Sequence, residues 1–241
     1  MRRILSVLVF ILIMQSLMGC MGTSRNRSPK EWLSLSYSGL AAMDQYAFTG
    51  SMSMGMGEGM MFKPQTFEGK IVNHHQLTLQ SEQQDPLYRN PVDVLRSLNE
   101  SHKAIEIIKD GTEESTAAGI IVLRIWDDRN VVKKNWSKKL NEQLDQLAGN
   151  HLIAETVGGK EQKIVLEQSK IELNNMLDSL EVDSQYEIII DKKKLIPLKL
   201  EEQTLFSYMR NGNPTKEYRH TNVRFQSFDG SVANDAISPK S

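Results

Sequence analysis

Cysteine is almost missing from this sequence: Cys20 is the single one in 241 residues, so no internal disulfide can form. An excess of charge of either sign is missing as well. With 29 basic and 30 acidic side chains the formal net charge is −1. A chain without a broad positive field has little with which to hold a phosphate backbone, which excludes nucleic acid as a partner. No glycine-rich phosphate loop follows any predicted strand. Ser36-Tyr37-Ser38-Gly39 lacks the leading glycine of a nucleophile elbow and falls on a predicted helix. No constellation specifies a reaction, so the reading is of a protein that is not an enzyme and takes no cofactor. What is present, 39% apolar and 24% charged residues, is ordinary for a folded globular chain and argues against disorder, collagen and a multi-span membrane protein.

The N-terminus carries two arginines, Arg2 and Arg3, then an apolar stretch from Ile4 to Met14 broken only by Ser6, a polar break at Gln15-Ser16 and small Gly19. These are the parts of a secretory signal, and the apolar core of about 11 residues is nearer to a signal than to a spanning helix. Leu17-Met18-Gly19-Cys20 resembles the bacterial lipoprotein signal. That resemblance implies removal of the signal peptide 1–19 and diacylation of Cys20, which would account for an unpaired thiol in an exported chain. The implied protein is anchored by lipid to the extracytoplasmic face of the cell membrane. Residues 20–29 read as the lipidated cysteine and a tether reaching at most about 30 Å. The body is then one domain over 30–228, and 229–241 is a flexible tail.

Ser28-Pro29 followed by Glu31 predicts a helix start, with Trp32, Leu33, Leu40 and Met43 on its apolar face as far as Asp44. From Tyr46 the period changes to two: Phe48, Met52, Met54 and Met56 share one face of a half-buried strand. Further extended stretches are predicted at 60–67 and 70–80. Asn90-Pro91 then starts a short helix, and strands follow at 104–109 and 118–126. The 128–148 segment predicts a long helix with Val132, Trp136, Leu140, Leu144 and Leu147 on one stripe and Gly149 as its stop. A second long helix is predicted over 160–180, with Val165, Leu173, Met176 and Leu177 on its apolar face. Strands at 186–191, 195–203, 205–210 and 218–228 complete the chain, with a turn at Asn211-Gly212-Asn213-Pro214.

Strands joined by tight turns, with helices gathered at the start and in the middle, predict an α+β fold: an antiparallel sheet packed against a few helices. Two stretches carry a resemblance in residue type: the helix-to-strand passage from Gly39 to Gly50, and the hairpin from Tyr186 through Asp191, Lys192-Lys193-Lys194 and Leu195-Ile196-Pro197-Leu198-Lys199-Leu200. They resemble the bacterial lipoprotein carriers LolA and LolB and the related LppX-like glycolipid-carrier lipoproteins of mycobacteria. The resemblance implies a curled antiparallel sheet, a half-barrel, with helices packed on its concave face around a cavity that holds acyl chains. It brings no catalytic residues. The candidate cavity residues are Phe48, Met52, Met54, Met56, Trp136, Leu140 and Leu144.

Two clusters invite rival chemistry. His74 and His75 fall side by side in a predicted strand and point to opposite faces, while His102, His151 and His220 have no second ligand at useful spacing, so no metal site is read. Met52, Met54, Met56, Met60 and Met61 are soft ligands suited to Cu(I), but methionine also fills irregular apolar space, and the second reading is preferred. Two functions therefore stand. One is an anchored protein that binds or carries a lipid or other apolar molecule. The alternative is an envelope sensor or interaction module with the same fold, a protein partner and no transported ligand.

Overall fold

A computed structural model describes residues 27–57, 60–74, 76–81, 90–110, 119–152 and 159–228. The segments expected to be a signal peptide (1–19) and a C-terminal tail (229–241), and Cys20 with most of the expected tether, lie outside the described residues. Helix α1 (Pro29–Ala41) opens with a full capping box: the Ser28 hydroxyl accepts from the Glu31 amide at 3.3 Å, and the Glu31 carboxylate accepts from the Ser28 amide at 2.7 Å. Strands β1 (Gln45–Met56), β2 (Met60–Met61), β3 (Gln65–Val72) and β4 (Gln76–Ser81) follow. Helix α2 (Pro91–Glu100) starts on Asn90, whose side chain accepts from the Val92 amide at 3.0 Å. After β5 (Ala104–Asp110) and β6 (Ile120–Trp126) come the two long helices, α3 (Arg129–Leu152) and α4 (Gly159–Ser179). The chain ends its described part with β7 (Glu181–Asp191), β8 (Ile196–Arg210) and β9 (Asn213–Gln226).

Eight strands form one antiparallel sheet in the order β4-β3-β1-β9-β8-β7-β6-β5, and β2 pairs with the end of β1. The sheet is curled and does not close, and the α+β expectation is borne out. Two reciprocal pairs join β1 and β3, Phe48 opposite Gly69 and Gly50 opposite Phe67. Each phenyl ring covers the glycine of the other strand so closely that a Cβ would fall 2.0 Å from Phe48 at Gly69 and 2.3 Å from Phe67 at Gly50.

Alternation along the strands sends one face to the helices and leaves the other to polar pairs such as Arg124 with Glu187 and Lys199 with Glu201. The covered face has two apolar cores. Under α1 and α2, Leu33, Leu40, Leu95 and Leu98 pack on Tyr46, Phe48, Leu123, Ile125, Ile188 and Phe225. Under α3 and α4, Val132, Trp136, Leu177 and Leu180 pack on Val182, Phe206 and Tyr208. Between the cores the same strand positions turn polar and stay buried: Ser184 on β7, Glu202 and Thr204 on β8, Arg219 and Thr221 on β9.

That polar belt explains the largest departure from the expected elements. Thr204 reads as the break between strands 195–203 and 205–210, yet β8 passes straight through it as one strand of 15 residues. Glu202 and Thr204 keep the inward phase of Leu200 and Phe206, because polar neighbours on β7 and β9 satisfy them. Three smaller corrections have local causes. The predicted strand 70–80 is two strands around a turn in which Asn73 and His74 take left-handed φ of 53° and 64°, so His74 lies in a turn and not in a strand; His75 lies outside the described residues. Gly149 does not stop α3, which continues to Leu152. Val165 is 61% exposed, because α4 reaches the sheet only through its C-terminal half.

Candidate functional site

The second core is incompletely filled. A cavity of about 530 Å³ opens between α3, α4 and strands β1, β8 and β9, with Met54, Trp136, Leu140, Met176, Leu177 and Phe206 among its walls. The volume lies in the range of small-molecule sites. Its geometry follows from the register: Met54 on β1 stands opposite Arg219 on β9, and Arg219 opposite Thr204 on β8, so the cavity floor meets the edge of the polar belt.

Trp136 is held from two sides. Phe206 meets its ring edge-on at a centroid distance of 5.1 Å and an interplanar angle of 87°, and the Arg219 guanidinium lies over it at 5.0 Å. Arg219 is 3% exposed; its Nε donates to the Thr221 hydroxyl at 3.2 Å, and its Nη2 stands 3.6 Å from the Glu202 carboxylate. Glu202 accepts from the Thr204 hydroxyl at 2.9 Å, which is 2.9 Å from the Ser184 hydroxyl. The belt is thus a connected network. At the far end of the cavity the Tyr208 hydroxyl donates to Glu217 at 2.5 Å. Burial and then this bond push the Tyr208 phenol up to about 12. The indole N–H of Trp136 is buried and has no hydrogen-bond partner.

Of the residues expected around a cavity, Met54, Trp136 and Leu140 are brought together here. Phe48 and Met52 lie in the other core, under α1 and α2. Met56 is 39% exposed at the end of β1, Leu144 is half-buried on α3 and is not among the lining residues, and Cys20 lies outside the described residues. Successive inward methionines of β1 are spread along a strand that rises about 6.8 Å for every two residues, so Met52, Met54 and Met56 line a path and do not converge on one point. Among the described residues no three His, Cys, Asp or Glu side chains stand close enough to hold a metal ion. His74 sits beside Met43, Nδ1 to carbonyl oxygen 3.0 Å, and Nδ1 of His102 is 2.8 Å from the Leu98 carbonyl oxygen. No described helix is long and apolar enough to cross a membrane.

Sequence reasoning missed Arg219, Tyr208 and Phe206. A signal for Arg219 was present: it shares the period-two frame of Val223 and Phe225 on β9, as Glu202 shares that of Leu200 and Phe206 on β8. Opposite charges in the apolar frame of two neighbouring strands mark a buried pair.

No protein-family model matches the chain, and no curated protein does. Among solved structures the chain is similar to one described as lipid-protein interactions in lipovitellin, at 11% identity and a TM-score of 0.32, with 81% of this chain aligned. The chain spans 26% of that protein's length, and a likeness of this size carries no argument about function.

Proposed function

We propose that this protein is an extracytoplasmic lipoprotein, anchored through Cys20, that binds a lipid or another apolar molecule between α3, α4 and the sheet. The observation that supports the reading is the cavity of about 530 Å³, walled mainly by apolar side chains. The kinship with the LolA, LolB and LppX-like carriers belongs to the same proposal and rests on the residue patterns at 39–50 and 186–200. The test is binding of a fluorescent acylglycerol by the purified full chain held in amphipol. Affinity should rise with acyl length, each methylene contributing about 0.8 kcal/mol until the cavity is full. Absence of binding at every length would sink the proposal. The anchor is tested separately by metabolic labelling with a fatty-acid analogue: label on the wild type and none on Cys20→Ser is expected, and equal labelling of both would remove it.

A second reading, an envelope interaction module, draws on the packing around Phe48 and Met52, both buried in the core under α1 and α2. Native mass spectrometry of the chain taken from cells separates the two: co-purified acyl mass favours the carrier, and a bare chain with a bound protein favours the module.

A further inference from the structure

The face of the sheet away from the helices carries one row unlike its neighbours. Trp126 on β6, Gln185 on β7, Gln203 on β8 and His220 on β9 stand directly opposite one another along four successive strands. Cross-strand neighbours at this spacing can reach each other. On the next row they do: Arg124 pairs with Glu187 at 2.8 Å, and the Asn222 amide donates to Glu201 at 3.2 Å. Along the Trp126 row no side chain has a hydrogen bond or ion pair among the described residues, although all four are half-buried or exposed. They line a groove of about 740 Å³ together with Leu205 and Tyr218. Ser184, Thr204 and Arg219 border it through the backbone, since their side chains join the belt on the opposite face. The groove is therefore separate from the cavity under α3 and α4.

The groove's chemistry selects its occupant. On one margin Arg129 and Asp183 hold each other, which leaves Lys103 beside Trp126 as the one wall cation open to a ligand among the described residues. A single ammonium is too little to hold a phosphate backbone. The floor offers two amides that each donate and accept, an imidazole and the Tyr218 hydroxyl, between the faces of an indole and a phenol. Such a surface matches a molecule with hydroxyls around its edges and C–H groups on its faces. From Trp126 to His220 the row crosses three gaps between strands, about 14 Å, more than one sugar ring can span. We infer that this groove binds a neutral oligosaccharide, with rings stacked on Trp126 and Tyr218 and hydroxyls paired with Gln185, Gln203 and His220. The site stands or falls independently of the lipid cavity.

The experiment titrates the full chain, held in amphipol, with cellobiose, cellotetraose, chitobiose and chitotetraose. At least one tetrasaccharide is expected to bind, and more tightly than its disaccharide, because only the longer chain reaches from Trp126 to His220. Gln203→Ala removes an exposed side chain from the middle of the row and should weaken that binding about tenfold, the worth of one hydrogen bond. Should the variant fail to fold, the indole ¹⁵N resonances of the wild type serve instead: Trp126 should shift with the tetrasaccharide, while the buried Trp32 and Trp136 stay in place. Binding of neither tetrasaccharide, equal affinity for both lengths, an unchanged affinity in Gln203→Ala, or shifts at Trp32 or Trp136 in place of Trp126 would each overturn the inference.

Discussion

Tyr46 keeps its hydroxyl inside the larger core with no hydrogen-bond partner, and burial, with a smaller push from the charge of Asp93, raises its phenol well above the ordinary value of 10. Removing a buried polar group that has no partner recovers its desolvation, so Tyr46→Phe should stabilise the fold by about 1 kcal/mol in urea unfolding. An unchanged or lower midpoint would mean that the hydroxyl is satisfied in solution. Arg219 presents the opposite case, a buried group whose partners depend on it. Arg219→Met leaves Glu202 inside the belt without its counter-charge and should cost about 3–5 kcal/mol, whereas adding Glu202→Leu should recover much of that loss. Two independent losses that simply add would show that the pair is not coupled. Residues of this kind are where the sequence is least legible. The period of β1 puts Tyr46 inward, but no local pattern tells what its hydroxyl meets; Thr204 looks like a strand break until β9 supplies Arg219 from across the sheet.

At the scale of elements, the legible features are those written within a few residues. Ser28-Pro29 with Glu31, Asn90-Pro91 and the Asn211-Gly212 turn, with φ of 53° and 77°, all hold their expected places. The stripe of α3 is legible too, since Val132 and Trp136 face the sheet at helical spacing. The pairing of β1 with β3 is not, because it depends on glycines whose role exists only opposite a phenylalanine. Gly69→Val should therefore be far more harmful than a glycine change in a turn. Its side chain would have to displace the Phe48 ring from a fully packed core, at a cost of about 1–3 kcal/mol or more. A thermal melt matching the wild type would show that the ring can move aside. The α1 cap gives a milder test. Glu31 is held below its ordinary value of 4.5 by the Ser28 amide and hydroxyl, so its contribution is present above that value and fades as pH falls through the lower folded value. Ser28→Ala should accordingly lose stability at neutral pH, and the gap to wild type should narrow in acid; a gap independent of pH would rule out the charged cap.

For the whole molecule, the two phenols set the alkaline limit. Both Tyr46 and Tyr208 stand above the unfolded value near 10, Tyr208 at about 12. A raised phenol contributes stability that is complete below pH 10 and is lost as pH climbs through the folded value. Stability should therefore decline between about pH 10 and 12, and Tyr208→Phe should flatten part of that decline; an identical pH profile in the variant would exclude Tyr208 as a cause. The sheet order has a consequence of another sort. Strand β1 is bordered by β3 on one side and by β9 on the other, so the middle of the sheet joins residues 47–56 to residues 217–226. A ribosome delivers the first of these long before the last, and until β9 arrives both β1 and β8 present bare edges that invite wrong partners. Biogenesis of this chain is thus a waiting problem: the sheet cannot be completed across its middle until the last described strand has been made.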